Sequence, residues 1–141
     1  MTKVVVFCIF SLIFSGCAST YTPEMVQHIK GSSFKATHTG YYTAELVMKP
    51  KQPKVGINKA HLIIHDYEAT DIPGLTIKAV PVHTQKGTIS NTTPTVKDAG
   101  RGLYIIENIS LPEPGMWEMQ LYIKGEFKND SVELPIPEVM N

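Results

Sequence analysis

Short runs of alternating apolar and polar residues, cut apart by proline and glycine, govern what this chain can fold into. Trp117, Met119, Leu121 and Ile123 alternate with Glu118, Gln120, Tyr122 and Lys124. A period of two sends one set to one face of an extended strand and the other set to the opposite face. The same period places Tyr42, Ala44, Leu46 and Met48 in one phase over 41–48, and Ala60, Leu62 and Ile64 in one phase over 59–65. Leu75, Ile77 and Ala79 mark a third strand, and 95–97, 103–109 and 127–134 read as strands too. Turn chemistry separates them: Pro50 and Pro53, Asp71 to Gly74, Asp98 to Gly102, Pro112 to Gly115, and Gly125. His83 to Thr93 reads as a polar loop, and Pro135 and Pro137 as a tail. About seven short strands without a long helical pattern predict an all-β, antiparallel β-sandwich of immunoglobulin-like type. No pair of cysteines flanks Trp117, so its indole is expected to fill the core where an inter-sheet disulfide would otherwise sit.

The amino terminus carries a different signal. Lys3 precedes an apolar run from Val4 to Phe10 that resumes at Leu12, Ile13 and Phe14. It is too short for a permanent span of about 20 residues and fits a signal peptide. Phe14-Ser15-Gly16-Cys17 resembles the bacterial lipobox, with Phe14 where leucine is more usual. That resemblance implies cleavage before Cys17, a diacylglycerol on its thiol and an acyl chain such as palmitate on its new amino group. A plain secretory signal with a chance cysteine is the other reading. Several acyl chains anchor stably, at about 0.8 kcal/mol per buried CH₂. Ala18, where an aspartate would retain a Gram-negative lipoprotein, implies by the same resemblance the periplasmic face of the outer membrane. The expected organisation is a signal peptide over 1–16, a flexible tether over 17–40 and the sandwich over 41–141. The tether is poor in apolar residues and rich in Ser, Thr and Gly, with one helical turn expected around Met25, Val26 and Ile29.

Charge and cysteine content then exclude whole classes. The cysteines are Cys8 and Cys17. The first leaves with the signal and the second carries lipid, so the mature chain has neither a disulfide nor a thiolate ligand to offer. Removing residues 1–16 from 141 leaves 125, enough for one domain. It also removes Lys3, so 12 of the 13 basic residues face 13 acidic ones. Without a basic run, nucleic-acid binding has no electrostatic support.

Between Tyr41 and Leu134, several phrases follow one another: Gly56 and Asn58, Asp66, Pro81, Gly102 and Tyr104, then Pro114-Gly115 and Trp117-Glu118. Their order and spacing resemble the YtkA-like family, related to FixH-like domains. The resemblance implies a small, extracytoplasmic immunoglobulin-like domain that is non-catalytic and frequently linked with copper handling or oxidase assembly. Many such domains carry Met and His in the loop after the strand that here reads Ala79-Val80-Pro81-Val82. This chain keeps only His83 there, with Val82 near a place for methionine.

Candidate ligands follow from residue chemistry. His61 and His65 are four apart; on a strand their Cα atoms lie about 13 Å apart, too far to chelate one ion. Each is expected to be a surface strand residue unless a neighbouring strand supplies a partner. His83 and the thioether of Met116 are the remaining candidates for a soft ion such as copper. Met48 and Met119 fall on core phases. His28 and His38 lie in the expected tether. Asp66, Glu68 and Asp71 form an acidic turn without the spacing of a calcium loop. Neither a GxSxG elbow nor a free cysteine is present, so a non-enzymatic, protein-binding envelope module is expected. Asn91, Asn108 and Asn129 lie in N-x-Ser/Thr sequons, which a bacterial lipoprotein would leave bare.

Overall fold

The computed structural model describes residues 21–141; the expected signal peptide and Cys17 lie outside them. Eight strands form: β1 (Ser33–Ala36), β2 (Tyr42–Lys49), β3 (Gly56–Asp66), β4 (Thr76–His83), β5 (Thr95–Gly100), β6 (Leu103–Leu111), β7 (Gly115–Lys124) and β8 (Asn129–Val139). They make two antiparallel sheets, one in the order β1-β2-β3-β6-β5 and one in the order β4-β7-β8. Leaving β1 aside, the four-plus-three arrangement and its crossings between sheets are those of a constant-type immunoglobulin domain. The seven strands read from the sequence are β2 to β8; β1 is an added edge.

The period-two phases define the core. Ala44, Leu46, Ala60, Leu62, Ile64, Tyr104 and Ile106 from the larger sheet meet Ala79, Trp117, Met119, Leu121, Leu134 and Ile136 from the smaller one. Trp117 is 1% exposed, so the indole does fill the interior. Met48 and Met119 are buried as their phases require.

Two boundaries differ from expectation. β8 runs through Pro135 and Pro137 to Val139 instead of ending at 134. Proline cannot donate to a ladder, but β8 is an edge strand and the missing N–H groups cost little there. The larger difference concerns 17–40. Its described part is packed, not a free tether. Residues 21–32 run along β2, and β1 then returns antiparallel, with Ser33 opposite Leu46 and Ala36 opposite Thr43. No helical turn forms around Met25. The segment is held at one end where Tyr21 N–H reaches Thr39 O (3.3 Å) and its ring meets those of Tyr41 and Tyr67, each at 4.9 Å. β1 also approaches β8, with the Ser33 hydroxyl on Pro135 O and Lys35 Nζ on Glu133 O (3.1 Å). As a result β2 is buried on both faces, although its alternation predicts a half-buried strand.

Gly40 makes that docking sterically feasible. Its φ is +76°, and a Cβ there would lie 2.5 Å from Tyr21 O. Gly40→Ala should therefore lower stability by roughly 1–3 kcal/mol. It should also open the 21–32 segment to protease before the sandwich unfolds. Urea unfolding and limited proteolysis of the same sample check both effects.

Candidate functional site

The polar centre of the molecule is Glu45, on the outward phase of β2 and fully covered by residues 28–32. One carboxylate oxygen accepts the His28 N–H (2.9 Å); the other accepts the Ile29 N–H (2.6 Å) and the Ser32 hydroxyl (2.7 Å). Burial alone would raise the Glu45 pKa, but the Ser32, His28 and Ile29 hydrogen bonds outweigh it and leave it below the usual carboxylate value. The charge is thus retained in the interior because three donors are aimed at it.

Beside it lies a histidine pair. Register sets Thr43 opposite His65, so the β3 imidazole emerges one position along from Glu45. His65 is 2% exposed, and its Nε2 lies 3.2 Å from Nδ1 of His28, the rings 4.6 Å apart. His28 Nδ1 is also 3.4 Å from Glu45 Oε2. On the far side of the ring, His65 Nδ1 is 3.0 Å from Asp71 Oδ1, off the line of a hydrogen bond, so that contact is Coulombic only. Burial and then the His28 charge push the His65 pKa down, against the opposing carboxylates of Asp71, Glu45 and Asp66. His65 is therefore a neutral ring at pH 7 that exchanges a hydrogen bond with a partly exposed one.

The residues proposed from the sequence are scattered. His61 shares the outer face of β3 with His65 and is half-buried. His83 does not begin a loop: it ends β4, 2% exposed, with Nε2 3.3 Å from Pro114 O and its ring edge-on to Trp117 at 5.0 Å. Gly115 permits this, since a Cβ there would lie 2.9 Å from His83 Nε2. Met116 is 45% exposed on the opposite phase of β7 from the Trp117 that faces His83. Cys17 lies outside the described residues. His38, expected to be mobile, is fixed by Glu133 (2.8 Å) and Ser131 (3.1 Å). His61, His65, His83 and Met116 thus do not converge on one ion. Among the described residues no group of three or more His, Cys, Asp or Glu side chains has the geometry to hold a metal.

Glu45 is the residue that sequence reading passes over, and His28 the one it assigns to a free tether. A signal was present: Val47 and Ile63 are apolar on the supposed solvent phase, beside His61 and His65. An aliphatic pair at that position calls for a cover.

A second surface is concave. Residues 84–94 fold back on β4, with His83 N–H on Thr88 O (2.9 Å) and Ser90 N–H on Pro81 O (3.2 Å). Between them and the outer face of β4 and β7 lies a groove of about 290 Å³ lined by Lys78, Val80, Ile89, Thr92, Gln120 and Tyr122. Ile89 is 62% and Tyr122 50% exposed.

No family model matches the chain, and no curated protein matches it. Two solved structures are similar. One is FetP of uropathogenic Escherichia coli strain F11, as isolated after periplasmic expression: 16% identity over 83% of this chain and 95% of that chain, TM-score 0.46. The other is a copper-bound point variant of the same protein: 15% identity over 86% of this chain and 98% of that chain, TM-score 0.47.

The polar cluster sets a pH dependence. The His65 pKa is lower folded than unfolded, so its neutral form contributes stability above about pH 6.5 that is lost as pH falls towards the folded value. The depressed Glu45 and Asp130 carboxylates contribute stability that is lost further down, below about pH 4. Urea midpoints between pH 8 and pH 3 should fall in two stages. His65→Asn should abolish the first stage and keep the second.

Proposed function

We propose that this chain is a non-enzymatic accessory protein of the bacterial cell envelope, held to a membrane through acylated Cys17 and binding a protein partner through its sandwich. The observation that carries the binding role is the groove under residues 84–94. Ile89 and Tyr122 stand exposed across it, on a sheet face that no other described segment covers. Apolar and aromatic side chains presented on a rigid sheet are the usual anchors of a protein interface. The groove also borders Lys78 and Gln120, which supply a polar rim.

Copper handling is the second reading, and of the four residues named from the sequence it keeps only His65, paired with His28. His28 Nδ1 has a histidine nitrogen at 3.2 Å and a carboxylate oxygen at 3.4 Å. The histidine separation approaches the edge of a tetrahedron around an ion bound at about 2.0–2.1 Å, while the Glu45 oxygen is already taken by the His28 N–H. The pair would have to exchange its mutual hydrogen bond for the ion.

Three measurements separate these readings. Cys17→Ser should leave the precursor uncut and unacylated, read by mass spectrometry of the membrane fraction. Affinity capture on the anchored protein should recover an envelope protein, and Ile89→Asp with Tyr122→Ala should lose it; unchanged recovery would remove the groove from the interface. Titration of Cu(I) and Cu(II) into the mature domain should give no binding tighter than micromolar on the first reading. Tight binding abolished by His65→Ala and untouched by His83→Ala would establish the second.

A further inference from the structure

The packed amino-terminal segment changes how a lipid at Cys17 would hold the domain. A free tether over 17–40 would let the sandwich range about 80 Å from its anchor at 3.3–3.6 Å per residue. Tyr21 is instead fixed between Thr39, Tyr41 and Tyr67. Only four residue steps separate it from Cys17, so the cysteine stays within about 14 Å of the Tyr21 Cα by any path.

The end of the sandwich at which Tyr21 sits is apolar and aromatic. Phe127, on the β7–β8 turn, is 83% exposed, the most exposed large apolar side chain among the described residues. It borders a cavity of about 320 Å³ shared with Tyr41, Ile72, Pro73 and Leu75. Tyr41 joins this cavity to the Tyr21 and Tyr67 rings. The opposite end offers the competing surface. There Val55, Ile57 and Met140 are exposed beside Lys49, Lys51 and Lys54, a combination suited to anionic lipid. That end is some 33 Å away along the eleven residues of β3.

We propose that the Tyr41–Phe127 end docks on the lipid surface that holds the acylated chain, with Phe127 and the tyrosines at headgroup depth. The inference rests on acylation of Cys17. Chain length selects this end, because the lysine end cannot reach the same surface while Tyr21 remains docked. Aromatic side chains favour the interface for their apolar body and polar tip. Glu68, Asp71 and Glu126, exposed at the same end, outnumber Arg101 and Lys128 there, so a zwitterionic headgroup is favoured over a strongly anionic one. The lysine end then points away from the membrane.

Coupling supplies the test. The chain from Cys17 onward contains every described residue and one thiol, which can be joined to a maleimide lipid in phosphatidylcholine vesicles. Phe127→Trp and Ile57→Trp provide reporters at the two ends, over the buried Trp117 as background. Lipids brominated near the headgroup should quench most of the added emission at position 127 and none at 57. Equal quenching, quenching at 57 alone, or none at either position overturns the proposal. A parallel set with phosphatidylglycerol should weaken quenching at 127; stronger quenching at 57 there would give the membrane face to the lysines. Because acylation is replaced by chemical coupling, an unacylated Cys17 in cells would remove the anchor reading and leave the vesicle result intact.

Discussion

A buried carboxylate with three donors aimed at it ties the amino-terminal segment to the sandwich. Glu45 accepts the N–H groups of His28 and Ile29 and the hydroxyl of Ser32. An ionised carboxylate taken out of water without such partners would be strongly unfavourable, and losing any one donor leaves part of the buried charge unsatisfied. The dependence runs both ways. The segment has few apolar residues of its own and is held by this polar contact, by β1 pairing and by the Tyr21 rings. The sheet in turn needs the segment, because without it Glu45, Val47 and His65 would face water in a geometry built for cover. Asp130 repeats the device at the other sheet, taking the hydroxyls of Thr37 (2.6 Å) and Thr39 (2.6 Å) and pinning the link between β1 and β2.

This arrangement explains what the sequence revealed and what it concealed. Alternation is a reliable guide where one face meets a core and the other meets water. It located β7 within two residues at either end, because Trp117 to Ile123 obey that condition. It placed β2 correctly but misjudged its environment. The outer phase of Thr43, Glu45 and Val47 contains one acid and one hydroxyl, which read as solvent-facing on composition. Its cover comes from residues 21–32, whose own sequence shows no strand period and suggested a helical turn that does not form. β1 is four residues of Ser, Phe, Lys and Ala, too short to show a phase. Segments whose stability comes from long-range polar contacts leave no local pattern to read.

The histidines show the same limit from the side of function. On β3, His61 and His65 are related by strand geometry, and the argument that they cannot chelate together depends only on rise per residue. The partner of His65 could not be found that way, because His28 lies 37 positions earlier and reaches it by docking across β2. His83 illustrates the reverse error. Val80, Pro81, Val82 and His83 continue β4 in register with Gln120 down to Trp117, and the last of them turns inward. A polar residue at a strand end is easily taken for the first residue of a loop; Gly115 opposite, with no Cβ, was the local sign that something bulky had to fit there.

The strap also gives the domain a direction. A sandwich on a long free chain presents all its surfaces equally to a membrane and to partners. Docking of residues 21–32 removes that equivalence, since the chain leaves the fold beside Tyr41 and Tyr67 and no longer from β2 itself. On the proposal that Cys17 is the anchor, two surfaces lie at defined heights relative to it. The groove bordered by Ile89 and Tyr122 lies on the flank of the smaller sheet, while the lysines of 49–54 lie at the far end. The contacts that fix this direction include the His28–His65 pair, whose buried member is held neutral at pH 7. Burial and the neighbouring His28 disfavour a charge on His65, so acid that protonates it works against the contact that orients the domain.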